Sequence, residues 1–422
     1  MAGYMAKKMR SSMQPALLDE VDAYFDLRDD LVQDPYPLFH RMQVEAPVLE
    51  RRSFAIVTRW TDIETVIRDG ETYSNSRGRG TRVDAVAGAM APELRAAFLA
   101  DSAFLDLQLP RADPPLHTRL RGLAHKAFTP RRVTEMRLMI ERIVDELLDA
   151  AQARGGLEVI DDLAYQLPLR VIGEMLGASA EDQPDIRRWS ATQAEFIGNG
   201  YRNFADFHQA LGEFRAYIRR LIAERRRTRH TDLLAALLEA EEDGDRLSPE
   251  ELEATFVVLL FAGHETTTNL IGNLVHALLN HLEQLERLRA EPGLIGNAVE
   301  EILRWNTSSQ VVHRLTARPA ELAGVSIPAG QTVRLVLSAA NRDPERFDDP
   351  DRFDIGRADV RHLGFGIGPH YCLGQALARL ETQVAVGRLI ERFPRIELAG
   401  ESRFRPNLML RGVLRLPLAL GR

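Results

Sequence analysis

Hydrophobic positions recur with helical spacing over most of the chain. The pattern predicts helices at Pro35–Ala46, Leu116–Phe128, Pro130–Ala153, Tyr165–Leu176, Gln209–Arg229, Asp232–Ala240, Leu294–Asn306 and Leu373–Phe393. Shorter apolar runs predict strands at Phe54–Thr58, Val311–Thr316 and Thr332–Leu337, with a tight turn at Ile327–Gly330 between the last two. The fold class is therefore mainly α with a minor β part.

The longest predicted helix runs from Ser248 to the region of Ala290. Its first residues combine a capping serine, a proline at the first helical position and a glutamate at the third, which is a strong helix-start signal. The middle of this helix, Phe256–Ala262, is apolar nearly all round. Such a helix is expected to be buried in a large core.

The 422 residues contain no internal repeat, low-complexity tract or Gly/Ser linker. We therefore expect one domain over residues 31–422, preceded by an N-terminal extension, residues 1–30. The net charge of −7 and the dispersed basic residues argue against a nucleic-acid partner. No apolar run reaches the ~18–20 residues that span a bilayer, and Met1–Arg10 lacks the apolar segment of a signal peptide. We expect a cytoplasmic protein with no membrane partner, and a monomer.

Cys372 is the only cysteine, which excludes an internal disulfide and any all-cysteine metal site. A lone cysteine is usually a small buried hydrophobe, so its neighbours must decide its role. It lies in the run Phe365–Gly374, where glycines at 366, 368 and 374 let backbone approach a flat partner. A helix follows, and free N–H groups at a helix start favour a thiolate. These neighbours favour a metal ligand over a cysteine buried in a glycine-rich turn.

A second motif, Ala262–Thr267, lies in the middle of the longest helix. Ala262 and Thr266 are four residues apart, so the Thr266 hydroxyl can bond to the carbonyl of residue 262 and bend the helix. Gly263 leaves room for a ligand against the backbone, and Glu265 is suited to relaying protons. The alternative is a polar kink without catalytic role. We expect His264 to point into the protein.

Both motifs resemble the cytochrome P450 family. Phe365–Gly374 matches the F-G-x-G-x-[HR]-x-C-x-G haem loop of that family at every fixed position, and the resemblance covers the chain after residue 30. It implies a triangular prism fold with haem b between the long helix and the cysteine loop. The implied iron ligand is Cys372, and the implied proton-delivery pair is Glu265 and Thr266. The implied haem contacts include Phe365, Gly366, Gly374, Ala262 and Gly263.

The resemblance also implies partners for the two haem propionates. Buried carboxylates need basic partners, because uncompensated charge is expensive to bury. His117 and Arg121 are four residues apart on one face of a predicted helix. His370 and Arg314 match the other propionate contacts of the family. For each of the four, the alternative is a solvated surface charge.

A third family motif is the pair Glu301 and Arg304, which is weak alone because exposed ion pairs are common. By resemblance, Arg352 completes a buried network with them that holds the cysteine loop. One departure is that Trp305–Gln310 contains no proline, although the family usually has one there. By resemblance this stretch flanks the substrate pocket, so the pocket is expected to be more polar or more mobile here. The other is that Glu265 replaces an aspartate seen in part of the family, which leaves the acid in place.

The implied activity is insertion of one oxygen atom from O2 into a C–H or C=C bond of a hydrophobic metabolite, such as a terpenoid, steroid, fatty acid or polyketide. We expect a separate ferredoxin or flavodoxin-type donor with its reductase, because no redox domain is visible. Substrate contacts are expected in Arg77–Leu109, Glu195–Phe207, Leu259–Gly263, Ser308–Val312 and near Leu408–Met409. A peroxide-driven peroxygenase would not need the Glu265–Thr266 pair, and a haem sensor would carry an output domain.

Overall fold

The computed structural model describes residues 15–51, 54–76, 81–199, 202–227 and 247–421. The predicted helix Asp232–Ala240 lies outside the described residues. The α-helices in these ranges are α1 (Pro15–Phe25), α2 (Asp29–Gln33), α3 (Tyr36–Glu45), α4 (Trp60–Arg68), α5 (Thr81–Ala89), α6 (Pro92–Leu105), α7 (Leu116–Ala127), α8 (Pro130–Glu135), α9 (Arg137–Arg154), α10 (Gln166–Leu176), α11 (Gln183–Gly198), α12 (Phe204–Arg225), α13 (Pro249–Asn280), α14 (Leu282–Ala290), α15 (Ile295–Trp305), α16 (Leu337–Ala340) and α17 (Gln375–Arg392).

The strands are short and form three small sheets. They are β1 (Val48–Glu50), β2 (Phe54–Val57), β3 (Tyr73–Ser74), β4 (Gly156–Glu158), β5 (Val311–Thr316), β6 (Ala320–Leu322), β7 (Val325–Ile327), β8 (Thr332–Val336), β9 (Arg395–Leu398) and β10 (Pro417–Gly421). The largest sheet has the order β1-β2-β8-β5-β3, in which only β2 and β8 are parallel. The predicted mainly α fold with a minor β part is confirmed. Within the described ranges, no helix is long and apolar enough to cross a membrane.

Helix α13 crosses the core, and α10, α11, α12, α15 and α17 pack against it. The predicted capping box is present, with Ser248 and Glu251 each bonding to the other's backbone N–H. Most residues of α13 are buried, as its apolar sequence predicts. The prediction of one helix to Ala290 is wrong, because His281 leaves the helical conformation (φ −131°, ψ 72°) and α14 begins after it.

Three other parts of the helix prediction differ from the structure. The helix predicted over Pro130–Ala153 is two helices, because Met136 turns the chain and its N–H bonds to the carbonyls of both Arg132 and Val133. Helix α12 begins at Phe204, five residues before the predicted start. Helices α5 and α6 lie within Arg77–Leu109, a segment for which the sequence pattern predicts no helix.

The N-terminal helix α1 packs on the large sheet. Leu17, Val21 and Tyr24 are buried in one hydrophobic cluster with residues as distant as Val336 and Leu408. This packing argues against a sharp boundary at residue 30, and the division of the chain there stays a prediction.

Strand alternation gives the large sheet two different faces. His313 in β5 pairs across the sheet with Arg334 in β8, and Arg314 pairs with Val333. Since successive side chains point to opposite faces, His313 and Arg334 share the face that α1 covers. Arg314 lies on the other face, on the side of the cysteine loop. The predicted turn is present, with Gly330 at φ 77°.

Candidate active site

The loop that carries Cys372 is held by its own backbone. Gly366 and Gly368 have φ of 69° and 71°, a conformation that favours glycine. The Cys372 N–H donates to the carbonyl of Phe365 at 2.9 Å, and the Gly366 N–H donates to the carbonyl of Leu363 at 2.8 Å. The loop is thus a tight backbone turn that presents the thiol just before α17.

The environment of the Cys372 thiol differs from the sequence expectation. Burial raises its pKa, whereas a hydrogen bond from the Gly374 backbone and the charges of Arg379 and Arg121 act in the opposite direction. Helix α17 begins at Gln375, three residues after the cysteine. The helix start alone therefore does not keep a thiolate here. Coordination to a metal ion deprotonates a thiol outright, so the ion itself would complete the site.

A buried ion pair on α15 supports the segment that leads into this loop. Arg304 donates to Glu301 through Nε at 2.7 Å and through Nη2 at 2.8 Å, and both side chains are fully buried. Arg304 also donates to the carbonyl of Asn341 at 3.0 Å. The side chain of Asn341 in turn accepts from the Leu363 N–H at 2.7 Å. The pair is thereby connected to the residue that begins the cysteine turn.

The second arginine of this network is not the predicted one. Arg352 contributes only its carbonyl to Arg304, at 3.1 Å, and its own side chain is 61% exposed. Arg357 takes the predicted place, because its Nε donates to Glu301 at 3.3 Å and its side chain is largely buried. The prediction that the Arg352 side chain joins this network is wrong. The arginine that does so, Arg357, lies five residues later in the sequence.

A second anchor of the cysteine loop was not predicted. Glu300 accepts from Arg379 Nε at 2.5 Å and Nη2 at 2.8 Å, and it contacts His362 Nε2 at 3.2 Å. Burial would raise the pKa of Glu300, but Arg379 and His362 lower it to about 2. The Arg379 guanidinium lies 4.6 Å from the centre of the Phe365 ring. The only sequence signal for this anchor is the position of Glu300 beside Glu301.

One stripe of α13 keeps accessible surface while most of the helix is buried. Its members are Leu259, Ala262, Gly263 and Thr266, which lie three to four residues apart on one face. The Thr266 hydroxyl donates to the carbonyl of Ala262 at 2.9 Å, as predicted. The helix continues through this turn, so a local bend stays a prediction.

Glu265 lies off this stripe and is only 2% exposed. Arg405 Nη1 and His264 Nε2 each lie 3.6 Å from one of its carboxylate oxygens. Burial raises its pKa, but His264 and Arg405 outweigh burial, so the net direction is down. His264 points into the protein as predicted, with contacts to Leu260 O at 2.6 Å and Tyr165 Oη at 3.2 Å.

The four predicted propionate contacts lie near the cysteine loop. The rings of His117 and His370 have centroids 4.0 Å apart, and the charges of Arg314 and Arg121 act on His370. His117 and Arg314 are 3% and 7% exposed, so neither is a solvated surface charge. The structure therefore brings the four predicted residues together from three separate segments, and their role as propionate contacts stays a prediction.

The electrostatics of this basic cluster favour an anionic partner. Burial lowers the pKa of His370 to about 3 and that of Arg314 to about 10. Burial also lowers the pKa of His117, and its buried Nε2 has no hydrogen-bond partner among the described residues. Asp113 raises the pKa of Arg314 but does not restore it. Carboxylates placed here would stabilise the protonated forms and satisfy the His117 ring nitrogen.

A sequence profile described as Cytochrome P450 matches residues 196–419, just over half of the chain. Cytochrome P450 107B1 of Saccharopolyspora erythraea is 42% identical over 411 residues, which cover 95% of this chain and 99% of that protein. The chain belongs to the cytochrome P450 family. A vitamin D(3) 25-hydroxylase of Pseudonocardia autotrophica is 39% identical over 399 residues, which cover 92% of this P450 and 94% of the hydroxylase.

The fold comparison agrees with the sequence comparison. The structure of P450BioI in complex with an acyl carrier protein ligated to hexadec-9Z-enoic acid matches with a TM-score of 0.85 at 34% identity, covering 93% of this chain and 99% of that one. The predicted P450-like fold is confirmed. This P450 is an oxidoreductase, and its cofactor is haem bound through a cysteine thiolate.

The residues present fit that cofactor. Cys372 is the only cysteine and retains accessible surface, and the basic cluster includes the Nε2 of His117, for which the described part of the chain offers no hydrogen-bond partner. Cys372 would hold the iron, and His117, Arg121, Arg314 and His370 would hold the propionates. The assignment of each residue to a haem contact stays a prediction. Arg121 also donates to the carbonyl of Tyr371 at 2.8 Å, which fixes it to the cysteine loop.

Gly263 and Gly374, both predicted to contact the haem, differ in the space around them. A Cβ at Gly263 would lie 3.3 Å from Cδ1 of Ile172 in α10. Gly263 thus allows α10 to approach α13, besides any role beside a ligand. A Cβ at Gly374 would meet no atom within 4 Å, so space near Gly374 remains for a bound group.

Proposed function

We propose that this P450 inserts one oxygen atom from O2 into a C–H or C=C bond of a hydrophobic small metabolite, with electrons supplied by a separate donor protein. The observation that carries this proposal is the accessible stripe on α13, which includes Thr266 and lies beside the buried Glu265. The stripe offers an apolar surface from Leu259 and Ala262 and one hydroxyl from Thr266. A haem that only stored or sensed a ligand would not require a buried acid next to that hydroxyl.

The Thr266 hydroxyl is the group on the stripe that can hand over a proton. Its bond to the carbonyl of Ala262, at 2.9 Å, fixes the position of Oγ1 and uses its one proton, so this bond must break when the hydroxyl donates, while its lone pairs remain available as acceptors. Accepting a proton from one side while donating on the other makes a hydroxyl a relay. We propose this relay role for Thr266.

Glu265 is the acid that would resupply the hydroxyl. Its carboxylate is buried, but Arg405, which contacts it at 3.6 Å, is 35% exposed. A rotation of Glu265 away from Arg405 would carry a proton from the solvent side toward Thr266. The haem supplies the oxygen-activating redox chemistry when bound. The protein contributes the thiolate, the position of the proton donor and an apolar, water-excluding surface.

The proposed substrate class follows from the surface of the stripe itself. The side chains of Leu259 and Ala262 are apolar, and an apolar wall favours an apolar reacting carbon. The relatives include a hydroxylase of vitamin D(3), which agrees with a hydrophobic metabolite in general terms. The electrons are proposed to come from a ferredoxin or flavodoxin-type protein with its reductase.

The first test is the absorption spectrum of the reduced, carbon-monoxide-bound protein. Thiolate ligation predicts a strongly red-shifted Soret band, and Cys372→Ser should remove that band while haem still binds through the basic cluster. Far-ultraviolet circular dichroism checks that the variant keeps its helices. A haem-loaded wild-type protein without the red-shifted band would refute the assignment of Cys372.

The second test separates an O2-dependent oxygenase from a peroxygenase. Thr266→Ala should consume electrons with less product and more released hydrogen peroxide, because the relay hydroxyl is gone. Thr267→Ala is the matched control, since Thr267 makes the same kind of bond, to the Gly263 carbonyl at 3.3 Å, but is buried away from the stripe. Equal coupling of electrons to product in both variants would remove the relay and favour the peroxide-driven alternative.

A further inference from the structure

Three buried polar side chains meet beside the accessible stripe of α13: Tyr165, His264 and Glu265. Nε2 of His264 lies 3.2 Å from Oη of Tyr165 and 3.6 Å from Oε1 of Glu265. The ring of Tyr165 meets the ring of His264 edge-on, with the two centroids 5.3 Å apart. Glu265 has a part in the proposed function, whereas Tyr165 and His264 do not yet have one.

The other ring nitrogen of His264 fixes its tautomer. Nδ1 lies 2.6 Å from the carbonyl oxygen of Leu260, one turn earlier in α13. A carbonyl oxygen only accepts hydrogen bonds, so Nδ1 carries a proton. Nε2 then has two states. In the neutral ring it accepts a hydrogen bond from the Tyr165 hydroxyl, and in the protonated ring it is an N–H group that faces Glu265.

Each oxygen of the Glu265 carboxylate faces a basic group. Oε1 faces His264, and Oε2 lies 3.6 Å from Nη1 of Arg405. A proton on Nε2 of His264 therefore has a carboxylate as its counter-charge, and a paired charge costs less to bury than a lone cation. In the other direction, the charges of His264 and Arg405 lower the pKa of Glu265 against the effect of burial.

The next charged groups are Arg187 and Asp161, which are paired with each other. Arg187 Nη2 donates to Asp161 at 2.5 Å, and its guanidinium carbon lies 4.4 Å from the centre of the Tyr165 ring. Burial and the charge of Glu265 raise the pKa of Tyr165, and Arg187 and Arg405 only partly oppose them. Tyr165 is therefore a neutral hydroxyl that can donate to His264.

The proposed reaction needs more protons than Glu265 can hold. Insertion of one oxygen atom from O2, with release of the other as water, consumes two electrons and two protons. A carboxylate carries at most one proton at a time. A proton on Nε2 of His264 lies 3.6 Å from the oxygen that is to receive it.

We propose that His264 holds a second proton for Glu265, and that Tyr165 stabilises His264 after this proton has moved. The proposal rests on the proposed function, in which Glu265 is the acid that resupplies Thr266. His264 and Tyr165 act through Glu265 and are positioning residues.

The transfer conserves charge within the pair. The N–H bond at Nε2 breaks and an O–H bond forms at Oε1, so an imidazolium and a carboxylate become a neutral ring and a carboxylic acid. A rotation of Glu265 that brings Oε1 about 0.5 Å closer to Nε2 gives hydrogen-bond distance. The Tyr165 hydroxyl then donates to the free Nε2, which favours the state in which Glu265 carries the proton.

NMR of the haem-loaded full chain labelled with nitrogen-15 in its histidines tests the proposal. The reduced, carbon-monoxide-bound form is used because it is diamagnetic, and His264→Gln identifies the His264 signals among the eleven histidines. The nitrogen shifts give the ratio of protonated to neutral His264 between about pH 5 and 8. Glu265→Gln should lower this ratio at least about 10-fold, because the counter-charge is gone. Tyr165→Phe should raise it roughly 2- to 10-fold, because the neutral ring loses its donor.

Tyr217→Phe is the matched control. It removes another buried tyrosine hydroxyl that donates to a carboxylate, that of Asp182 at 3.1 Å, outside this cluster, and it should leave the ratio unchanged. Glu265→Gln and Tyr165→Phe both keep the shape of the side chain, and the red-shifted Soret band checks haem binding in each. A ratio that does not fall in Glu265→Gln overturns the proposal, as does the absence of a rise in Tyr165→Phe.

Failure of the proposed function is read separately, because the NMR measurement needs no turnover. General acids contribute roughly 100-fold or more, and the route past Arg405 remains in His264→Gln, so we expect about 2- to 10-fold less product per electron in this variant. The coupling assay of Thr266→Ala measures this loss. Normal coupling in His264→Gln overturns the role of the second proton. Normal coupling in Thr266→Ala together with the expected NMR ratios overturns the proposed relay and supports the shared proton of His264 and Glu265.

Discussion

Replacing Arg304 by leucine tests how the buried pair on α15 stabilises the protein. Arg304 makes five hydrogen bonds: two to Glu301 and one each to the carbonyls of Asn341, Pro350 and Arg352. The substitution removes the cation and leaves the Glu301 carboxylate fully buried.

The remaining partners of Glu301 compensate only in part. They are Arg357 Nε at 3.3 Å and the Asp354 N–H at 3.0 Å. Breaking a buried pair by removing one partner costs about 3–5 kcal/mol. We expect the apparent free energy of unfolding to fall by an amount in this range. The double variant Glu301→Leu/Arg304→Leu should lose less than Arg304→Leu alone, because no buried carboxylate is left without its main partner and Arg357 keeps its bonds to the carbonyls of Asp348, Asp349 and Arg352.

Urea unfolding followed by circular dichroism measures these losses, at equal haem saturation because bound cofactor adds to the apparent stability. Arg131→Leu is the matched control, since its pair with Glu135 is exposed and should contribute at most ~1 kcal/mol. The same Arg304→Leu sample should lose part of its red-shifted Soret band, because the pair is linked to the cysteine turn through Asn341 and Leu363. A loss no larger than that of the control would refute the reasoning.

Three further predictions concern α13. Ser248→Ala removes the capping box and should cost about 0.5–2 kcal/mol in urea unfolding, whereas an unchanged midpoint would show that the cap is not needed. Gly272→Ala places a Cβ 2.6 Å from Cδ1 of Ile160 and should cost roughly 1–3 kcal/mol, and adding Ile160→Val should restore part of the loss. Burial lowers the pKa of His276 to about 4 in the folded protein. Between about pH 6.5 and 4 the unfolded chain therefore binds one proton more than the folded protein. The free energy of unfolding should fall as the pH falls through that window. His276→Gln should therefore reduce the change in stability across this window by roughly 1–3 kcal/mol, and identical pH profiles would contradict the shift.

Features set by residues close in sequence were predictable. The capping box at Ser248 and the bond from Thr266 to the carbonyl of residue 262 depend on spacings of three and four residues, and both are present. The end of α13 was not predictable in the same way. Hydrophobic periodicity continues from α13 into α14, and the break at His281 has no glycine or proline to mark it.

Features set by packing were predicted only in part. Arg352 and Arg357 lie in one irregular segment, and the turns of that segment decide which side chain reaches Glu301. The pKa of Cys372 also depends on packing, since burial outweighs the lowering effects of the Gly374 backbone, Arg379 and Arg121. Glu300 was missed because its partner Arg379 is 79 residues away.

The neighbours His313 and Arg314 show how strand pairing separates two basic residues that are adjacent in sequence. Both residues are basic, and a sequence motif alone would assign them to one site. Pairing of β5 with β8 sends Arg314 toward the cysteine loop and His313 toward Arg334 on the other face. A shift of register by one residue would exchange the two faces, so the pairing of β5 with β8 decides which of the two basic side chains reaches the side of the cysteine loop. Substitutions at residue 314 should therefore lower the haem content of the purified protein, whereas substitutions at residue 313 should leave it unchanged.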